Sequence, residues 1–242
     1  MQLSQRPNLY DYIKVIALIS MILDHIGYFL FPEQIIRRVV GRLAFPLFLF
    51  LVGYNLSRRR RWSLWIAGII VQIAIFIAYW YGIIPFPLIN ILLVIGATRV
   101  VLFLTQKTSI QFQALIFLLA CLLAPMALRR IDYGTLALAF GFLGYRLRIS
   151  SHRRYKVLLV GTVAYYIVLM MTTHSFPTEM YGWLLLAGLG VVIFCLLLSK
   201  KNSLMRTHSL FDTFLLFISK QALSIYVLHG ILLFLIAYFF YK

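Results

Sequence analysis

Acidic side chains are scarce in this chain: six Asp plus Glu stand against 23 Lys plus Arg, a formal net charge of +17. A cation-coupled carboxylate relay is therefore poorly supplied. Cysteine is scarce too. Cys121 and Cys195 lie far apart, each inside an apolar stretch, so they form no metal-ligand cluster and are expected as buried free thiols. No Gly-rich phosphate loop, HExxH or GxSxG motif occurs, and no Cys/His ligand set. Nor is there a long polar region, and only 12% of residues are charged. These absences exclude a soluble domain and leave no metal cofactor to expect.

What is present is apolar: 63% of the residues, with a mean hydropathy of +0.94. Runs of about 20 apolar residues recur along the whole chain, the length an α-helix needs to cross a bilayer. The expected fold class is all-α, a polytopic transmembrane helical bundle, with residues 1–242 forming one integral membrane domain in the cell membrane. About nine spans (eight to ten) are expected, over 10–29, 43–56, 62–81, 86–104, 110–128, 133–145, 156–171, 181–198 and 222–241. The second and sixth are short. Residues 211–218 read as an interfacial helix or an incomplete further span. Pro46 should kink the second helix and free a backbone carbonyl that a neighbour must satisfy. The N-terminal segment is too polar and too acidic for a signal-peptide start, so the first helix is expected to stay.

Loop charges orient the bundle. The arginine run at 58–61, Arg99 with Lys107, and the basic clusters at 146–156 and 200–206 all fall on one side of a nine-span array. That side is cytoplasmic by the positive-inside rule, with the N-terminus inside and the C-terminus outside. Topology and anionic headgroups account for most of the basic charge, so membrane lipids are the expected partners and nucleic acid is not. Two groups break the pattern. Arg37, Arg38 and Arg42 follow the first helix, and Arg129 and Arg130 follow the fifth, all on the expected outer side. A ligand or an internal acid would retain charge there, above all at Arg42, which opens a helix and can point inward.

The first helix carries the most informative residues, in YDYIKVIALISMILDHIGYF. An eleven-residue step at ~100° per residue returns within ~20°, so Lys14 and His25 share a face ~16 Å apart along the axis. Ionisable groups at membrane depth are costly and need a partner or a wet cavity. His25 is the candidate base or acyl relay, since imidazole takes and returns protons near neutral pH and also attacks acyl groups. Asp24 lies ~100° around the helix, so it is expected to pair with an outer arginine such as Arg42 or to orient the imidazole through another helix. Lys14 either snorkels to the headgroups, pairs with Asp11, or holds an anionic group of a substrate. In the last apolar run, LSIYVLHGILLF, Ser224, Tyr226 and His229 are the polar groups. Asn55 and Gln72 read as interhelical hydrogen-bond residues, and Trp80, Tyr81 and Trp183 as interfacial anchors.

The segments IKVIALISMILDHIG and RRVVGRLAFPLFLFLVGY resemble the TraX family, membrane proteins named for acetylation of conjugative pilin. That family is distantly similar to acyltransferase family three, whose basic residue, ten intervening residues and His are matched by Lys14 and His25, and whose closing segment LSIYVLH resembles. The resemblance implies acyl transfer, acetyl from acetyl-CoA, to a hydroxyl or amine acceptor at or across the membrane. His25 would be catalytic with Asp24 beside it. Lys14, Arg42, Arg38, Tyr226 and His229 would bind donor or acceptor. Acetyl-CoA would meet the basic inner face at 58–61 or 146–156. The acceptor could be an envelope glycan, a lipid, a protein or a small metabolite. Intramembrane basic residues beside a Pro-kinked helix also suit a small-anion transporter, and an assembly protein without a substrate is the third reading.

Overall fold

A computed structural model describes residues 7–56, 62–84, 86–128, 131, 134–150, 152–173, 176–199 and 210–240. Among these, secondary structure is helical apart from one isolated bridge between Ile89 and Ile131. The helices are α1 (Leu9–Phe29), α2 (Ile35–Gly41), α3 (Ala44–Tyr54), α4 (Trp62–Trp80), α5 (Ile91–Thr105), α6 (Ile110–Ala127), α7 (Leu136–Ile149), α8 (Arg153–Thr173), α9 (Tyr181–Ser199) and α10 (Leu210–Phe240), with a 3₁₀ turn at Thr178–Met180 before α9. Six of the described helices, α1, α4, α6, α8, α9 with its preceding turn, and α10, are long and apolar enough to cross a membrane; α5 is a shorter apolar helix. The protein is an all-helical membrane protein.

Local chemistry sets the boundaries. Asn8 and Asp11 form a reciprocal capping box that starts α1. Asn90 caps α5 by accepting from the Leu92 and Leu93 amides, so the segment expected from residue 86 becomes helical only at Ile91. Arg99, counted with Lys107 among the loop charges, lies within α5. Residues 211–218 are neither an interfacial helix nor a separate span. They open α10, whose 31 residues contain no Pro and run unbroken through Gly230.

The expected second span, 43–56, is the short helix α3, and a further short helix, α2, precedes it in the segment expected as a loop, with a break between the two at Arg42–Leu43. Pro46 sits in the first turn of α3, where a missing amide costs little, so it marks this break and does not kink a continuous helix. The carbonyl it leaves unmatched, four residues back on Arg42, accepts from the Tyr166 hydroxyl at 3.2 Å. A second proline repeats the arrangement. Pro125 lies inside α6, and the Cys121 carbonyl four residues back accepts from the Tyr165 hydroxyl at 3.0 Å. Adjacent residues of α8 thus close both proline gaps, as a hydrocarbon surrounding requires.

The short helices α3 and α7 form the centre. Phe45, Leu47, Leu49, Phe140 and Leu143 are fully buried there. Gly53 and Gly144 let the two backbones touch: a Cβ at Gly53 would strike the Gly141 carbonyl, and one at Gly144 the Phe50 carbonyl. The outer helices face the opposite way, with Ile66, Ile73, Leu118, Leu122, Leu186 and Phe217 exposed, as a bilayer-facing surface should be. Trp80, Tyr81 and Trp183 are also exposed, consistent with interfacial anchoring. Cys195 is buried and Cys121 half-buried, both free.

The proline gaps make a measurable difference to stability. Tyr165→Phe should destabilise the detergent-solubilised protein by about 1 kcal/mol, by leaving the Cys121 carbonyl without its donor. In a Pro125→Ala background the restored amide satisfies that carbonyl, so the same change should be nearly neutral. Thermal unfolding of the four members of this cycle reads the coupling.

Candidate functional site

The site forms where α1 and α10 run side by side. Their contacts climb in parallel: Tyr12 donates to Asp212 at 2.8 Å, Ser219 to Asp11 at 2.6 Å, and further along His25 meets His229 and Phe29 meets Phe234. Near the start of α1, the Lys14 ammonium donates to the Ser219 carbonyl. Lys14 and Asp11 are thus linked through Ser219, whose carbonyl accepts from one and whose hydroxyl donates to the other.

Eleven residues on, His25 Nδ1 lies 2.8 Å from His229 Nε2, with the two rings tilted by only 10°. His229 Nδ1 lies 3.0 Å from the Ile225 carbonyl oxygen. A carbonyl only accepts, so His229 carries its proton on Nδ1 and, when neutral, has a lone pair on Nε2. His25 must then donate from Nδ1, which leaves the lone pair of a neutral His25 on Nε2. The chain Ile225 carbonyl, His229, His25 therefore selects one tautomer of His25, as an orienting hydrogen bond does in acid–base sites. His229, expected to bind substrate, stands here as the hydrogen-bond partner that holds His25.

Asp24 is turned away from this pair, towards α2. Its Oδ2 lies 3.6 Å from Arg42 Nη1, and each side chain is 8% exposed. Gly41 permits this approach, because a Cβ there would collide with the Asp24 side chain. Arg42 also lies over the Phe176 ring at 5.9 Å, and Arg38 over the Tyr28 ring at 5.4 Å. The acidic partner expected for an outer arginine is thus Asp24.

Two half-open cavities adjoin the seam. The larger, about 590 Å³, is lined by Lys14, Arg99 and Lys220 together with Tyr10, Asn55, Trp62, Met21 and Leu223, with no carboxylate among the described residues that line it. The smaller, about 310 Å³, is lined by Asp24, His25, Arg38 and Arg42 with Tyr28, Phe29, Phe86, Asn90 and Phe234. Tyr226 lines both, and its ring stands edge-on to His25 and His229 at 6.2 and 5.5 Å. Of the expected site residues, His25, Asp24, Arg38 and Arg42 meet at the smaller cavity, Lys14 lines the larger, Tyr226 joins them, and His229 stands behind His25.

Arg99 and Lys220 are not among the site residues that the sequence singles out. The signal it does carry is a cation inside an apolar helical run, ILLVIGATRVVLFL for Arg99. Of the cluster at 146–156, Arg146 donates to Gln113 at 2.5 Å and Arg148 to the Tyr54 carbonyl at 2.8 Å, so both tie helices together. Gln72 bonds the Leu88 carbonyl and Asn90, as an interhelical residue should. Asn55 instead closes α3 and lines the larger cavity. The basic groups at 58–61, 129–130 and 200–206 lie outside the described residues. Among the described residues no His, Cys, Asp or Glu cluster could hold a metal ion.

A family model described as TraX protein matches residues 10–215. Protein TraX of Escherichia coli (strain K12) is 32% identical over 152 residues, 62% of this chain and 58% of that protein. A second Escherichia coli Protein TraX is 32% identical over 161 residues, 64% of this chain and 62% of the relative. An uncharacterized protein of Rickettsia prowazekii (strain Madrid E) is 31% identical over 169 residues, 69% of this chain and 66% of that protein. The chain spans less than two thirds of the length of these relatives. No solved structure matches it.

Breaking the buried Asp24–Arg42 pair from one side should cost about 3–5 kcal/mol, because it strands the other charge. Asp24→Ala should therefore unfold at lower temperature than the Asp24→Ala/Arg42→Ala double variant, read by thermal unfolding in detergent. Equal losses would show that the two side chains are not coupled.

Proposed function

The chain belongs to the TraX family, and from that premise we propose that it is a multi-pass membrane acyltransferase, moving acetyl from acetyl-CoA to a hydroxyl or amine acceptor. The observation that carries this reading is the His25–His229 pair, which leaves a lone pair on His25 Nε2 beside a cavity. His25 lines the smaller cavity but not the larger, so it serves the acceptor. Its Nε2 takes the acceptor proton, the acceptor oxygen or nitrogen attacks the thioester carbonyl, and the C–S bond breaks. The departing CoA thiolate takes the proton back from the His25 imidazolium. His229 holds the His25 tautomer and stabilises the charge that forms during the step.

The larger cavity suits the donor. Three cations, Lys14, Arg99 and Lys220, line it without a carboxylate among the lining residues, and Met21, Leu92 and Leu223 line its apolar part. A polyanionic head with a long, weakly polar arm ending in a thioester fits this distribution of charge. The arm would reach ~16 Å along α1, from the level of Lys14 to Tyr226 and His25. With the basic end facing the cytosol, donor and acceptor would enter from opposite sides. The parallel course of α1 and α10 agrees with this, since an odd number of crossings puts the two chain ends on opposite sides. Residues 58–61 and 146–156, expected to meet CoA, are not needed for this arrangement.

A transporter for a small anion remains a second reading, favoured by one observation: both half-open cavities meet at Tyr226. The two separate in reconstituted vesicles. Acyl transfer predicts saturable acetyl-CoA binding and slow CoA release by the purified protein. His25→Ala should keep binding and lose release. His229→Ala should cut the release rate by about 10²–10⁴-fold at an unchanged Kd, and Arg99→Gln should weaken binding. Absence of binding by folded protein, with anion flux in vesicles lacking CoA, would replace this reading with transport.

A further inference from the structure

We propose that the Tyr226 ring is the septum between the two cavities and that it limits the transferred acyl group to acetyl size. The size limit rests on the acyltransferase reading, whereas the septum rests on geometry. The two linings succeed each other in the same order along three helices. On α1 the larger cavity takes Lys14 and Met21, and the smaller takes His25 and Phe29. On α4 the change falls between Leu64 and Val71, and on α10 between Leu223 and Gly230. Each of these helices starts at the larger cavity and runs towards the smaller, so the cavities are stacked end to end along the bundle. Tyr226 stands at the change on α10, and among the described residues it is the one that both linings share.

Leu223, Tyr226 and Gly230 share one face of α10, spaced three and four residues apart. A rise of about 1.5 Å per residue puts only about 10 Å between the first and the last, and the Tyr226 ring sits within that interval. From there it meets both histidines edge-on, at 6.2 Å from His25 and 5.5 Å from His229, separations at which aromatic rings are in contact. Two half-open cavities stacked through a bilayer need an obstruction where they meet, or water and ions follow the same path. The same ring bears on the reaction. For His25 Nε2 to deprotonate an acceptor that attacks the thioester, the acyl carbon must come to the level of His25 while the CoA arm still lies in the larger cavity. Whatever the acyl group carries beyond its carbonyl then lies past the ring, in a space of about 310 Å³ that also holds the acceptor. A methyl group is the smallest such load. Each further methylene has to displace the ring or the acceptor, which is worth about 10–200-fold in rate.

Engineered cysteines on either side of the ring test the septum without turnover. Leu223→Cys lies in the lining of the larger cavity. Gly230→Cys lies in that of the smaller, where a Cβ meets nothing within 4 Å. Right-side-out and inside-out membrane vesicles are treated with the impermeant reagent sulfonatoethyl methanethiosulfonate. Labelling of each engineered position is followed by peptide mass spectrometry, so Cys121 and Cys195 do not enter the readout. With Tyr226 in place, each position should react from one side only, and the two from opposite sides. Tyr226→Ala should let each react from both sides, and Tyr226→Phe, which keeps the ring, should stay closed. Tyr226→Val gives the same reading if the alanine variant does not fold. Labelling of both positions from one side, labelling from both sides with Tyr226 present, no labelling of either, opening by Tyr226→Phe, or closure that survives removal of the ring overturns the septum.

The size limit is read on the purified protein as CoA release from acetyl-CoA and butyryl-CoA. The butyryl donor should be at least about tenfold slower with Tyr226 present. Tyr226→Ala should narrow that ratio, and Tyr226→Phe should keep it. Equal rates for the two donors with Tyr226 present, or a ratio that Tyr226→Ala leaves unchanged, overturns the limit. Absence of CoA release from either donor, beside one-sided labelling, removes the acyl-transfer reading and the limit with it, and leaves the septum standing.

Discussion

Hydrocarbon supplies no hydrogen-bond partner, and this requirement organises the bundle more than any single apolar contact does. Each break in a helix described above is matched by a donor from elsewhere. The carbonyls freed by Pro46 and Pro125 receive the hydroxyls of Tyr166 and Tyr165. The loop before α5 is held by Gln72 and Asn90, whose amides also reach the Leu88 and Gly68 carbonyls. The break between α2 and α3 is therefore a supported feature. It lets Arg42 turn inward to Asp24 while its own carbonyl is held by α8. Without the Tyr166 hydroxyl, the buried Arg42 carbonyl would lose this donor.

The polar seam between α1 and α10 extends this logic to the site. One end is tied by Tyr12, Asp11, Lys14, Ser219 and Asp212, the other by the histidine pair. Because both ends are fixed, His25 is presented by two helices whose relative register is set by hydrogen bonds and not by apolar packing alone. In the acyl transfer proposed above, a base positioned in this way would lose little freedom on binding substrate, which is the condition for efficient proton transfer. The helices α3 and α7 contribute from behind. Their glycine-mediated backbone contact forms a dense centre against which α1 packs, so the cavities lie to one side of a rigid wall.

Much of this is legible in the sequence, and what is hidden there has a physical reason. The apolar run lengths give helices within a few residues for most segments, because span length is fixed by the bilayer. The eleven-residue step correctly puts Lys14 and His25 on the face of α1 that meets α10, and the freed carbonyl at Pro46 is foreseeable from its missing amide. The pairing of Asp24 with Arg42 follows from the cost of charge at depth. Helix faces, however, do not state which face meets which. Ser219, Lys220 and Gln221 interrupt the apolar run, so 211–218 reads as separate from the remainder of α10. His229 can be assigned to His25 only once the two helices are seen to run in parallel. Arg99 reads as a loop charge because a basic residue between apolar runs looks the same whether it ends a helix or lines a cavity within one.

The distribution of basic residues separates two roles that composition alone merges. A chain whose positive charge served topology only would keep it at helix ends and in loops, where headgroups and water solvate it. Arg146 and Arg148 fit that description, lying in the last turn of α7 and bonded to neighbouring helices. Lys14, Arg38, Arg42, Arg99 and Lys220 do not, because each lines a cavity. Holding a cation in a cavity wall costs more than leaving it at an interface, and Asp24 offsets that cost for Arg42. Among the described residues of both linings cations outnumber acids. Scarcity of acid, the first thing the sequence presents, is thus repeated among the described residues that line both cavities.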